Sequence, residues 1–219
     1  ARAQEHEVLR SQAARYDAVR EVRQALSGSA PLFDRLHTLC GLIAERLGGG
    51  IATVYLHDPE EGELRLAATS LQGGGFGGEY RVVLGQGVDG RAAQSRTPAF
   101  LRETNGALAY SALPLIAGES MVGVLTLQGG DDTARRAGMG LGRALEETLL
   151  EIAAAAADEI AQAKREARMS IRATKASAIN EAGIRLISAR DTNEVASLAT
   201  SSGALILEAD HAVLRLQDH

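Results

Sequence analysis

Tryptophan is absent from this 219-residue chain, cysteine occurs once, proline four times, and aromatic residues make up only 3%. Each scarcity excludes something. The single cysteine, Cys40, rules out an internal disulfide and agrees with a reducing compartment. Four tyrosines and three phenylalanines leave little to stack bases on, and a net charge of −5 gives no electrostatic reason to expect DNA or an anionic membrane. No apolar run approaches the ~20 residues of a membrane span; the nearest, Ile152–Ala157, is bracketed by acids. A secretory h-region is missing too. The five histidines (His6, His37, His57, His211 and His219) do not pair with cysteine or carboxylates at metal-ligand spacing. No Ser-His-Asp or Cys-His set stands out. The expectation is therefore a chain with no metal, no evident cofactor, no catalytic residues, no nucleic-acid partner and no membrane insertion.

What the chain does have is apolar content of 45%, much of it alanine, which favours helix over a thick core. In the first segment Val8, Arg15 and Val22 stand seven apart, with Val19 and Leu26 on a neighbouring row and charges elsewhere. That narrow seam reads as a helical arm of coiled-coil type over residues 1–28. Ser27-Gly28-Ser29 ends it. Ser29 is a natural cap for the next helix, with Pro31 at a tolerated early position. Leu32, Leu36, Leu39, Ile43 and Leu47 follow at steps of three and four until Gly48-Gly49-Gly50. Cys40 falls on that apolar stripe, as a core thiol would.

Strand signals come next: Ile51–His57, the turn Asp58-Pro59-Glu60-Glu61-Gly62, Glu63–Leu71, a glycine-rich loop over Gly73–Gly78, and Tyr80–Leu84. From Leu84 to Gln128 runs LGQGVDGRAAQSRTPAFLRE, a short variable loop, then SALPLIAGESMVGVLTLQ. Gly85, Gly87 and Gly90 free the backbone where a strand hands over to a helix near Val88–Ser95. Pro114 interrupts the strand Ser111–Ile116, which suits an edge or a bulge, and Gly123 in the strand Met121–Gln128 lets something pack closely. The succession GQGVDGRAAQSRTP and LPLIAGESMVGVLTL closely resembles the GAF domain, a small-molecule-sensing and dimerising module of signalling proteins. The resemblance covers roughly Ser29 to Gln128. It implies an α+β fold, a GAF-like antiparallel sheet sandwiched by helices, over residues 29–130, with long coiled-coil helices on its flanks.

From Asp132 to about Arg190 there is no strand signal and no proline. Leu145, Leu149, Ile152 and Ala156 keep a three-four spacing that continues in alanine, so residues 131–190 read as a connecting helix. Unbroken, it would measure about 80–90 Å at 1.5 Å per residue, with Gly138, Gly140 and Gly142 as a place to bend. Asp191-Thr192-Asn193-Glu194 is a capping box. The run that follows, closing on Ala212–Leu216, mirrors the pattern about 160 residues earlier, like the truncated start of a second GAF-like domain over residues 191–219. The whole is expected to be part of a longer cytoplasmic protein.

The rival meanings of single motifs are plainer. Gly129-Gly130-Asp131-Asp132 lacks the Glu-Phe continuation of a diguanylate cyclase signature, and its aspartates suit caps. Gly73–Gly78 has no Gly-Lys-Ser/Thr after it, so it reads as a mobile loop or, by the resemblance, a lid. The Asn-Lys-Xaa-Phe-Asp-Glu run of cyclic-nucleotide-binding GAF domains is missing.

The resemblance implies a ligand between the sheet and the inserted helix. The matching positions are Gly87, Val88 and Asp89 at the helix start, Arg91 inside it, Arg102 after the inserted strand, Tyr110 leading back to the sheet, and Tyr55 and Thr69 on alternate sheet positions; Thr53 and Arg81 are further polar candidates. Helix-start N–H groups and Arg91 suggest a ligand with an anionic or carbonyl edge. A parallel homodimer would form through Val8, Val19, Val22, Leu26, Leu145, Leu149, Ile152 and Ala156. The functional expectation is a regulatory module of a bacterial-type signal-transduction protein, itself no enzyme, passing a small-molecule or conformational signal to an output domain elsewhere. The alternative is a ligand-free dimerisation module. A reductase of methionine-sulfoxide type on the same fold would need several reactive cysteines, against Cys40 alone.

Overall fold

The computed structural model describes residues 16–46, 50–71, 80–104, 108–129, 143–189, 191–207, 213 and 215. The chain divides into two units, Ala1–Ala163 and Lys164–His219.

In the first unit, helix α1 (described over residues 16–26) ends where Ser27 N donates to Arg23 O at 2.8 Å and Gly28 turns the chain at φ 134°. Helix α2 follows over Leu32–Arg46. Arg35 Nη1, from the first turn of α2, donates to the Leu26 carbonyl at 2.6 Å, satisfying a C-terminal carbonyl that α1 leaves without a helical partner. Leu36, Leu39, Cys40 and Ile43 are buried at three-four spacing, so α2 packs one stripe inward.

Six strands then form one antiparallel sheet: β1 (Ile51–Asp58), β2 (Glu63–Thr69), β3 (Arg81–Val83), β4 (Ala99–Arg102), β5 (Leu108–Ala117) and β6 (Ser120–Gln128), in the order β3-β2-β1-β6-β5-β4. Helix α3 (Gly87–Ser95) is inserted between β3 and β4. Every adjacent pair is antiparallel. The expected α+β architecture is therefore observed.

Pro114 lies on neither outer strand, contrary to the simplest expectation for proline. It sits in β5 opposite Val124 of β6. The other flank of β5 is paired to β4 only from Leu108 to Ala112, so at Pro114 that flank is a local edge and the missing N–H breaks no ladder bond. Gly123 behaves as expected. A Cβ built there would meet the Tyr55 carbonyl oxygen well inside van der Waals contact and the Tyr55 carbonyl carbon at 3.2 Å.

The two faces of the sheet differ. One is covered by α1, α2 and the first part of α4 (Arg143–Ser188). Val22 and Leu26 of α1, the α2 stripe, and Leu149, Ile152, Ala156 and Ile160 of α4 pack with Val54, Leu113, Leu125 and Leu127 into one core. The flanking helices, expected at a dimer interface, contribute to this core. Their seams are filled within one chain up to Ala161, because each apolar stripe meets the bare face of the same sheet. Among the described residues Ser111 is fully buried and its Oγ has no hydrogen-bond partner. The opposite face carries α3 and a smaller cluster.

The second unit contains the rest of α4 and helix α5 (Thr192–Leu207). Asp191 Oδ1 accepts from Glu194 N at 2.8 Å, so the predicted cap forms. Along this part of α4 Met169, Ile171, Ile179, Ile184 and Ile187 are exposed, Ile187 to 88%. The strand expected over Ala212–Leu216 falls mostly outside the described residues. Val213 and Arg215, which are described, belong to no helix or strand. No helix among the described residues is long and apolar enough to cross a membrane.

Candidate functional site

The site begins with a tight handover from strand to helix. Gln86 N donates to Val83 O at 3.0 Å, Gly85 N to Gly90 O at 2.8 Å, and Gly90 N to Gln86 O at 3.0 Å. Gly85 and Gly87 hold φ of 86° and 64°, where a side chain would be strained. Gln86 occupies the cap position without a side-chain cap bond, and Asp89 stands in the first turn. The handover lays α3 on the sheet. Ala92 and Ala93 pack with Ala112 and Val124, while Val88 and Leu84 lie partly buried beside them.

Asp89 then faces β5. Tyr110 Oη donates to Asp89 Oδ1 at 2.7 Å, across 21 residues of sequence. Tyr55 of β1, 8% exposed, belongs to the same cluster, and its ring centroid lies 6.3 Å from that of Tyr80 with the planes 38° apart. Beyond them Thr53 and Thr69 join hydroxyls at 3.1 Å, and Thr126 Oγ1 donates to Thr53 O at 3.4 Å. The face under α3 thus adds hydroxyls and one carboxylate to an apolar cluster that includes Leu64 and Val124.

Burial controls the protonation of this group. It raises the Asp89 carboxyl above its ordinary value, outweighing the Tyr110 hydrogen bond that favours the anion. Burial likewise pushes Tyr55 up to about 12, with the Asp89 charge and Tyr80 adding to the effect. Tyr110 is raised by burial first, then by its bond to Asp89 and that residue's charge. Both phenols are therefore neutral donors near neutral pH.

Of the positions singled out from sequence, Gly87, Val88, Asp89, Tyr55 and Tyr110 come together here. Thr69 lies on the same side, bonded to Thr53. Arg91 is exposed on α3. Arg102 is elsewhere: it pairs with Glu146 of α4, the helix that covers the opposite face. Arg81 is occupied too. Its Nη1 lies 3.1 Å from Glu63 Oε1, tying β3 to β2, and the same oxygen holds Arg65 Nε at 2.9 Å within β2. Among the positions expected at a dimer interface, Val22, Leu26, Leu149, Ile152 and Ala156 are buried in the core of this unit, and Val19 packs against it. Val8 and the side chain of Leu145 lie outside the described residues, as do the Gly73–Gly78 loop, Gly130-Asp131-Asp132 and Gly138–Gly142.

Sequence reasoning missed Tyr80 and the Asp89–Tyr110 bond. Tyr80 precedes a three-residue strand too short to show alternation, and a contact across 21 residues leaves no periodic trace. Among the described residues no three of His, Cys, Asp or Glu converge as metal ligands would. Cys40 is fully buried, and burial pushes its thiol up to about 12 despite a backbone hydrogen bond at Val54. It therefore remains a thiol near neutral pH.

No protein-family model matches the sequence, and no curated protein matches it. Solved structures do. The GAF domain of a phosphoenolpyruvate-protein phosphotransferase from Coxiella burnetii is similar at TM-score 0.58 and 18% identity, covering 70% of this chain and 96% of that one. Its counterpart from Acinetobacter gives 0.57 and 19%, covering 68% and 94%. A free methionine-R-sulfoxide reductase from Neisseria meningitidis, solved with its substrate, gives 0.51 and 19%, covering 70% and 91%. The sheet and its helices have the GAF fold.

Proposed function

We propose that this chain is the sensory and regulatory part of a signal-transduction protein, in which the face of the sheet under α3 takes a small molecule. The observation that carries this reading is the half-buried Asp89–Tyr110 pair bridging α3 to β5. A half-buried carboxylate needs pairing as well as hydrogen bonding to offset its desolvation, and the single bond from Tyr110 ties the inserted helix to the sheet. Similarity to GAF domains supports a regulatory role. The fold also serves reductases, but the single buried thiol of Cys40 argues against that chemistry here. The rival reading, a ligand-free dimerisation module, has its own observation: Ala92, Ala93 and Ala112 close part of the space under α3.

Thermal shift of the whole chain against amino acids, 2-oxo acids and cyclic nucleotides tests the reading. A ligand at 100 times its dissociation constant adds about 2.7 kcal/mol, and Arg91→Ala weakens an anionic one with little loss of stability, because Arg91 is exposed. A melt that no small molecule moves leaves the dimerisation module standing.

Dimerisation in this reading uses the exposed apolar residues of the second unit, since the first part of α4 is occupied. A parallel pair of helices would cover Ile171 and Ile179, leaving the domain start proposed for residues 191–219 and any output domain to follow. Light scattering is expected to show a dimer at tens of micromolar, about the range of weak association, which Ile171→Glu with Ile179→Glu dissociates without lowering the melting temperature of the first unit. A monomeric wild-type chain contradicts it.

A further inference from the structure

We infer that the site under α3 recognises an organic cation, a methylated ammonium group, through the Asp89 carboxylate and the rings of Tyr55, Tyr80 and Tyr110. This rests on the reading of that face as the sensing site and replaces the anion suggested by the helix start.

Charge comes first. Asp89 is half-buried, and among the described residues its partner is the neutral Tyr110 hydroxyl, with no cation against it. The α3 dipole offsets only part of its charge, about half a unit. Arg65 and Arg81 are paired to Glu63, and Arg91, exposed on the same helix, makes no ion pair with Asp89 among the described residues. The sequence from Ser70 to Tyr80 contains no lysine or arginine. A desolvated carboxylate lacking a counter-ion favours a ligand that brings one. For the same reason an anion is disfavoured, because Asp89 already supplies the negative charge that the start of α3 attracts.

The rings decide the kind of cation. Three of the four tyrosines in the chain lie at this place, and Tyr55 and Tyr80 are in tilted contact at 6.3 Å. Ring faces carry negative potential and attract cations, most effectively those that are poorly hydrated. A primary ammonium has three donors to satisfy, whereas a methylated one presents apolar surface to the rings and leaves its charge to Asp89. Tyr80, 54% exposed, is the ring open to an incoming ligand.

The chain has no tryptophan, so its emission comes from tyrosine, three of the four in this cluster, with Tyr16→Phe removing the fourth. Titrating the full chain with tetramethylammonium chloride, at ionic strength held constant with sodium chloride, is expected to give a saturable change that sodium alone does not. Asp89→Asn keeps an acceptor for Tyr110 and removes the charge; it should weaken binding about tenfold or more. Tyr80→Leu, at an exposed position, should weaken it severalfold with an unchanged circular dichroism spectrum. A response that never saturates, or one that neither variant alters, overturns the inference. Saturation by acetate or 2-oxoglutarate in place of tetramethylammonium, abolished at Tyr110→Phe, also overturns it while leaving the site a sensor. If none of these probes binds, the cation is again refuted, and the broader thermal-shift screen decides the sensing reading separately.

Discussion

Replacing Leu149 and Ile152 together with glutamate is expected to unfold the first unit rather than to separate two folded subunits. Both side chains are buried in the core shared by α1, α2 and the sheet. Truncating one such residue costs about 2–5 kcal/mol, and placing an unpaired carboxylate there costs more. Two such changes are comparable with the whole stability of a domain, about 5–15 kcal/mol. Circular dichroism should show lost sheet signal and no cooperative melt. If the variant instead stays folded and becomes monomeric by light scattering, the helix belongs to a subunit interface and the packing described for α4 is overturned.

Gly123→Val is the second large effect. The residue lies in β6 between Leu56 of β1 and Leu115 of β5, so the backbone has strands on both sides. A Cβ there meets the Tyr55 carbonyl oxygen far inside contact, and the atoms behind it, Tyr55 C and Leu56 Cα, stand at 3.2 and 3.3 Å. The obstruction is backbone in the centre of a sheet, which cannot rotate aside as a flexible side chain can. Strain of this kind costs about 1–3 kcal/mol, and more when the backbone cannot give. We expect a loss near the upper end, about 3 kcal/mol, read as a lower midpoint of urea unfolding. Because Tyr55 adjoins the clash, its contact with Tyr80 should loosen as well, and tyrosine emission should change even under conditions where the variant remains folded. A midpoint equal to wild type would mean that β1 and β6 lie farther apart than described.

Much of the architecture was legible in the one-dimensional pattern. Three-four spacing marked α2, alternation and turn residues marked β1 and β2, and the Asp191 capping box marked the start of α5. These are local signals, in which a residue's neighbours in sequence are also its neighbours in space. The GAF resemblance carried the order of elements further and led to Gly87, Asp89, Tyr55 and Tyr110.

Partners across the fold were another matter. The seam of Val22 and Leu26, and that of Leu149 and Ile152, read equally well as a coiled coil or as a helix on a sheet, because an apolar stripe does not state what covers it. Tertiary structure resolved this: the open face of the sheet accepts both helices within one chain. Arg102 and Arg81 looked available as isolated letters and became ion-pair partners once strand placement brought Glu146 and Glu63 to them. Pro114 was read as an edge or bulge residue, but that the edge is a local one, created where β4 stops short, depends on pairing between strands. The sequence by itself determined the elements, their order and the residue types under α3. Only folding decided that Asp89 would be half-buried against Tyr110, because burial and hydrogen bonding across the fold are properties of the packed chain and not of the spacing along it.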